Sequence, residues 1–139
     1  MKVVKPNSHS SCIACGESNL SSHSFGLQFL TDSESSVIAK VTLDERYQGY
    51  SQVLHGGVIS TLLDAAMTHC LFSKSIEAMT AELNVRFIKS VPINQELEIG
   101  AQLSGERRGI YQLTSYISLR GDILARGKAK FLIGKCKLM

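Results

Sequence analysis

The sequence lacks the features that mark a membrane protein or an exported protein. It contains no apolar run of the ~18–20 residues that a membrane-spanning helix requires. Its first residues, MKVVKPNSHSS, contain no apolar stretch of the kind found in a signal peptide. We therefore expect a cytoplasmic protein whose four cysteines are reduced thiols.

Concentrated charge of either sign is also missing. The formal net charge is only +3, aromatic residues make up 6% of the chain, and no basic stripe alternates with aromatics. Nucleic acid is therefore not an expected partner. A length of 139 residues with 44% hydrophobic residues fits one compact domain with a real core, and no repeat or interdomain linker divides it.

Apolar and polar residues alternate in most of the chain, which predicts β-strands. The predicted strands are 26–30, 37–43, 80–87, 96–103, 111–119 and 123–133. A turn at 31–34 is expected to join the first two as a hairpin, and the last four are expected to form a meander. The polar, serine-rich residues 1–24 are predicted to be an irregular, unpacked lead-in to a domain over 25–139.

One segment, Val58 to about Ser73, is predicted to be a helix. It contains neither glycine nor proline and is apolar on most sides, so it is expected to be buried. An antiparallel sheet has to bury one face, and this helix is the only partner available. We therefore predict an α+β hot-dog fold, a curved antiparallel sheet of about six strands wrapped around one long central helix.

Asp64 stands out because it places a carboxylate in the middle of this apolar helix. Ser60, Thr61 and Thr68 lie one helical turn away and form a narrow polar stripe with it. Burying a carboxylate without partners is costly, so a functional setting is one interpretation. The other is that Asp64 faces solvent on the one exposed edge of the helix.

The segment His55-Gly56-Gly57 directly precedes the helix. The first N–H groups of a helix have no intrahelical partner and lie at the positive end of its dipole. A free amide at Gly57 would therefore suit a developing oxyanion, with His55 orienting the loop or donating a hydrogen bond. Alternatively, the glycines serve only the helix entry and His55 is a surface residue.

Together these features resemble the hot-dog acyl-CoA thioesterases, including the phenylacetate-pathway type. The stretch from Leu54 to Met67, LHGGVISTLLDAAM, carries the resemblance. It implies that Asp64 is the general base or nucleophile and that the Gly57 amide forms the oxyanion hole. It also implies that Thr80, at the start of the next strand, helps to place the water; taken alone, Thr80 is an ordinary strand residue.

Helix geometry adds a homodimer to this prediction, or a dimer of dimers. Gly57 and Asp64 are seven residues apart, about 10 Å along a helix, which is too far for both to act on one carbonyl within a chain. Two antiparallel helices from two chains would bring the Gly57 end of one to Asp64 of the other. The predicted reaction is hydrolysis of acyl- or aryl-CoA thioesters, in which CoA is part of the substrate and no metal or cofactor is needed.

One departure from the family leaves other functions open. Several members carry an asparagine six residues before the histidine, where this chain has Gly49. Gln48 and Gln52 are nearby but do not align with it. A non-catalytic acyl-CoA-binding or regulatory domain is therefore an alternative, as is a hot-dog hydratase or dehydratase, although the histidine motif of those enzymes is not matched.

An N-terminal cysteine pair, Cys12 and Cys15, allows three interpretations. A subset of hot-dog proteins resembles the chain here, with matches at Cys12, Cys15, Gly16, Asn19, Gly26 and Leu27. We interpret the pair as part of a structural lid without metal. With His9 and His23 it could also be drawn as a zinc site, and a redox pair is the third possibility.

Four cations are candidates for the CoA phosphates. Arg107 and Arg108 occupy a predicted turn, and Lys89 and Arg86 are expected on the neighbouring strand. The alternative is that all four are solvated surface residues. The sequence does not define the acyl group, nor does it choose between CoA and acyl carrier protein.

Overall fold

The structure is a computed structural model that describes residues 1–10, 12–16 and 24–133. One long helix, α1, is followed by four strands and preceded by two. The elements are β1 (Leu30–Ser33), β2 (Ser36–Val41), α1 (Gly56–Phe72), β3 (Ala78–Phe87), β4 (Leu97–Arg107), β5 (Ile110–Leu119) and β6 (Asp122–Ile133), with single 3-10 turns at Asn7–His9 and Glu45–Tyr47. No helix among these residues is both long and apolar enough to cross a membrane.

The six strands form one antiparallel sheet in the order β1-β2-β4-β5-β6-β3. The first two strands pair as a hairpin, as predicted, but residues 31–33, predicted to be its turn, belong to β1, and the turn is Glu34 and Ser35. The predicted four-strand meander is wrong, because β3 pairs with β6 at the far edge and β4 pairs with β2. Alternating apolar and polar residues identify a strand and its two faces but not the strand with which it pairs. The sequence pattern therefore does not determine the strand order.

Helix α1 packs against one face of the sheet and is largely buried, as predicted. Its buried residues are Ile59, Leu62, Leu63, Ala65, Ala66, Met67, His69, Cys70, Leu71 and Phe72. Strand β6 approaches the helix closely, since a Cβ on Gly127 would lie 3.2 Å from the Leu63 Cβ and 2.5 Å from the Ser115 Oγ. One helix enclosed by a six-stranded antiparallel sheet is the hot-dog fold.

The N-terminal segment differs from its prediction. Ala14 and Cys15 are only 3% and 1% exposed, so the described part of the lead-in packs into the core rather than lying free. Its backbone also hydrogen-bonds to the segment predicted as the first strand. Leu27 N–H donates to Ala14 O at 2.9 Å, and Val3 N–H donates to Phe29 O at 2.8 Å. Strand β1 therefore begins at Leu30, later than predicted, and the division of the chain at residue 24 stays a prediction.

Candidate active site

Asp64 and Thr80 form the centre of the candidate site. Asp64 lies midway along α1 and Thr80 near the start of β3, and the Thr80 hydroxyl donates to Asp64 Oδ1 at 2.5 Å. Burial raises the pKa of the Asp64 carboxyl above its usual value of 3.8, and the hydrogen bond from Thr80 opposes this with a smaller lowering effect. The structure thus joins two residues that are 16 positions apart in the sequence.

The polar stripe beside Asp64 does not hold its carboxylate. Ser60 and Thr61 donate their hydroxyls to the carbonyls of Gly56 and Gly57, at 3.1 and 2.9 Å. Thr68 donates to the backbone carbonyl of Asp64 at 3.0 Å. These three hydroxyls bond to backbone carbonyls of their own helix and not to the Asp64 carboxylate. The carboxylate is oriented by the hydrogen bond from Thr80.

The Gly57 amide is not free, which corrects the prediction made for it. His55 is the N-cap of α1, and its Nδ1 accepts the Gly57 N–H at 2.8 Å. This bond requires a neutral imidazole with its proton on Nε2. His55 and Gly57 are both exposed.

We expect His55→Ala to lower the free energy of unfolding by about 1 kcal/mol, because the mutant leaves the start of α1 without its cap. His55→Asn is the matched control, since asparagine caps helices well and is expected to recover most of the loss. Urea denaturation of the three proteins measures the difference. Equal stability of the alanine and asparagine variants would contradict the capping role.

Gly49 packs directly against His55. A Cβ at Gly49 would lie 3.1 Å from the His55 Cα and 3.4 Å from its Cδ2. The Gln48 side chain accepts the Gln52 backbone N–H at 3.2 Å and closes the loop locally. A cavity of about 290 Å³ opens here, lined by Gly49, Tyr50, Leu54, His55 and Gly56.

A smaller cavity of about 130 Å³ lies beside Asp64, between α1 and the N-terminal segment. Its walls are His9, Cys12, Ile13, Ala14, Thr61, Asp64, Ala65, Thr68 and His69. Burial lowers the pKa of His69 to about 4, so this wall residue is neutral near pH 7. A lid was expected from the cysteine pair, but its place beside Asp64 was not predicted; the apolar Ile13 and Ala14 between the cysteines are the signal for a packed segment.

The four candidate phosphate-binding cations lie in two separate pairs within the chain. Arg107 and Arg108 lie at the turn before β5, whereas Lys89 bonds to the backbone of Leu124 near the opposite end of that strand. The ten residues of β5 span about 30 Å, and β6 separates β3 from β5. Lys89 also forms an exposed ion pair of 2.8 Å with Asp122.

Other cations, not singled out from the sequence, lie beside Arg86. Arg126 is its direct partner across the β3–β6 pair, and Lys128 follows on the same face. The three line an open cavity of about 510 Å³ with Asn84 and Thr114. The signal was present in the sequence, where Arg126, Lys128 and Lys130 alternate with small residues along the last strand.

Comparison with known sequences connects part of the chain to a family. Residues 51–108 match the model of the thioesterase superfamily. Within the chain, 56 residues are 38% identical to the acyl-coenzyme A thioesterase THEM4 of Rattus norvegicus, covering 40% of this chain and 24% of that relative. The matched part therefore spans about a quarter of the curated relative.

Comparison with solved structures supports the fold over a longer range. A thioesterase superfamily protein superposes with a TM-score of 0.77 at 24% identity, over 81% of this chain and 59% of that one. The E. coli PaaI protein from the phenylacetic acid degradation operon superposes with a TM-score of 0.72 at 17% identity, over 78% and 83%. The N-terminal cysteines lie outside the family match. The chain is thus a hot-dog-fold protein whose residues 51–108 carry the sequence pattern of the thioesterase superfamily.

Proposed function

We propose that this protein hydrolyses acyl- or aryl-CoA thioesters. The observation that carries the proposal is Asp64, a partly buried carboxylate oriented by Thr80 within the segment that matches the thioesterase superfamily. The curated relative named as an acyl-coenzyme A thioesterase supports CoA as the carrier. Asp64 activates a water, the water attacks the thioester carbon, and the CoA thiolate leaves; direct attack by Asp64 to form an anhydride is the covalent variant.

The proposed site is shared between two chains. Gly57 and Asp64 lie on one continuous helix, about 10 Å apart along its axis, so a second chain has to supply one of them. Strand β3 supports this because it is an edge of the sheet, ten residues long. An edge of this length without a further partner strand among the described residues is a ready surface for a second strand, and at its end Phe87 and Ile88 are 55% and 44% exposed.

The direction of β3 explains how such a dimer completes the site. The Thr80 end of β3 lies beside Asp64 of α1, and the Phe87 end lies beside the start of α1, where a Cβ on Gly56 would lie 3.7 Å from the Phe87 ring. A two-fold axis perpendicular to the sheet would pair β3 with its copy antiparallel. The Asp64 of one protomer then faces the partner subunit's Gly57, whose amide stabilises the oxyanion after its own His55 ring moves aside.

The same pairing brings the separated cations towards each other. The turn with Arg107 and Arg108 lies towards the Ala78 end of β3, and Arg86 and Lys89 lie at the Phe87 end. Antiparallel pairing places the first end of one protomer at the second end of its partner. We propose that cations of both protomers hold the CoA phosphates, with Arg86 assisted by Arg126.

A panel of acyl- and aryl-CoA thioesters tests the function directly. We expect release of free thiol from at least one substrate class, detected with a thiol reagent, and its loss in Asp64→Asn. Tight CoA binding without turnover would favour the non-catalytic alternative. Hydration of an enoyl-CoA without thiol release would favour the hydratase alternative.

We expect Thr80→Val to move the acidic limb of the pH profile of kcat/KM to higher pH. Hydrolysis requires the ionised Asp64, so activity rises as the pH passes upward through its raised pKa. The Thr80 hydroxyl lowers that pKa, and its removal leaves the effect of burial unopposed. Thr80→Ser keeps the hydroxyl and is the matched control, expected to retain the wild-type limb; an unchanged limb in Thr80→Val would contradict the role.

A further inference from the structure

We infer that His9, Cys12 and Cys15 form a metal site, with zinc as its ion, that fixes the N-terminal segment to the end of α1. The ligand atoms of these three side chains all lie within 4.8 Å of one another. This inference is independent of the proposed hydrolysis, because it concerns residues outside the segment matched by the thioesterase superfamily.

One ligand distance already matches tetrahedral zinc, whereas the widest separation in the group, 4.8 Å, exceeds the ~3.8 Å between two sulfurs on one zinc, so binding would draw the side chains together. With Zn–S near 2.3 Å and Zn–N near 2.05 Å, a tetrahedral angle separates a ligand sulfur from a ligand nitrogen by about 3.6 Å. The distance between Cys15 Sγ and His9 Nδ1 is 3.6 Å. Two sulfurs and an imidazole nitrogen are also the donors that zinc prefers, whereas magnesium and calcium prefer oxygen.

The backbone between the cysteines is shaped to bring their sulfurs together. The Ala14 N–H donates to Cys12 Sγ at 3.3 Å, which turns the Cys12 side chain back over the loop towards Cys15. The Gly16 N–H donates to Cys12 O at 2.8 Å and closes the turn. A Cβ at Gly16 would lie 2.5 Å from Cys12 O, so glycine is needed for the turn to close this tightly.

The site is held against the core rather than on a free surface. Cys15 is 1% exposed, and the His9 ring packs edge-on against Phe72 of α1 with centroids 4.9 Å apart. His9 and Cys12 also line the cavity that contains Asp64. A metal here would therefore fix one wall of that cavity.

We assign the fourth coordination position to a water. Among the described residues, no further histidine, cysteine or acid belongs to the group. His23, which the sequence analysis grouped with the pair, lies outside the described residues. The site needs three protein ligands at a minimum, which these side chains supply.

Metal analysis of the full chain tests the inference. We expect about one equivalent of zinc per chain after growth with added zinc and purification without chelators. Cys12→Ser, Cys15→Ser and His9→Gln are expected to lower the content several-fold. Cys70→Ala is the matched control, because Cys70 lies in the core and its Sγ donates to Ser35 O at 3.3 Å.

Cobalt substitution gives a readout that does not depend on the variants being stable. Co²⁺ added to the metal-depleted wild-type protein is expected to give the intense visible bands of a tetrahedral site and thiolate-to-cobalt charge transfer. Wild-type protein that neither retains zinc nor gives this spectrum would overturn the inference. Isolation of Cys12 and Cys15 as a disulfide without metal, or equal zinc in wild-type and Cys12→Ser proteins, would overturn it as well.

Discussion

Replacing Asp64 with asparagine is expected to lower kcat by about 10²–10⁴-fold, which is the contribution of a positioned general base. Asparagine retains the oxygen that accepts the Thr80 hydrogen bond, so the shape of the site is kept while its basicity is lost. A KM close to the wild-type value is expected, because Asp64 acts on the water rather than on the bound CoA. Stopped-flow or steady-state thiol release with the best substrate of the panel measures both constants.

The same variant is expected to be more stable than the wild type at neutral pH. Burial raises the pKa of Asp64 above 3.8, so the native state disfavours the charged carboxyl relative to the unfolded chain. The native protein therefore loses stability as the pH rises from 3.8 through the raised pKa, and the neutral amide of the variant does not share this loss. Thermal unfolding should give a higher Tm for Asp64→Asn at neutral pH, and the gain should shrink as the pH falls towards 3.8.

A variant with full activity would contradict the assignment of Asp64 as base or nucleophile. A variant that is inactive and less stable would indicate that the carboxylate is a structural group. Loss of activity together with gain of stability is the combination expected of a residue kept for function.

Gly57→Pro is expected to lower kcat by about 10²–10³-fold, the usual cost of one oxyanion-hole donor. Proline removes the amide hydrogen and is tolerated in the first turn of a helix. Gly57 is exposed, and a Cβ there would meet only the His55 ring, 3.1 Å away at Nδ1. Circular dichroism should therefore show the wild-type helix content.

Gly57→Ala is the matched control, because it keeps the amide while introducing the same contact with His55. We expect it to retain most of the activity that Gly57→Pro loses. Equal losses in both variants would assign the effect to displacement of the His55 ring. Wild-type kcat in Gly57→Pro would exclude the Gly57 amide as an oxyanion donor.

Sequence patterns predicted the elements that have strong periodicity. The apolar residues of 58–73 identified the buried helix, and alternation identified β3 to β6 with small errors at their ends. The position of β3 beside β6 was not predictable, because it depends on the path of the chain after Phe72 rather than on the pattern of β3 itself. The first strand was predicted too early in the chain, because the backbones of Phe29 and Leu27 form hydrogen bonds with the upstream residues Val3 and Ala14.

The candidate site was predictable in its residues and less so in its contacts. Asp64 and Thr80 were both singled out, and only the fold shows that one bonds to the other. The predicted state of the Gly57 amide was wrong, because histidine is not among the residues preferred at the N-cap and its ring was not expected to accept the amide. The distance between the two pairs of cations likewise depends on the strand order, which cannot be derived from the positions of these residues in the sequence.

The central claim is that Asp64 of one chain and the partner subunit's Gly57 act on the same thioester. Mixing Asp64→Asn with Gly57→Pro under conditions that exchange protomers tests it most directly. Half of the dimers would then be mixed, each with one intact site of two, so the mixture of two inactive proteins should recover about a quarter of the wild-type activity. If the mixture stays inactive although mass spectrometry detects the mixed dimer, the shared site is contradicted.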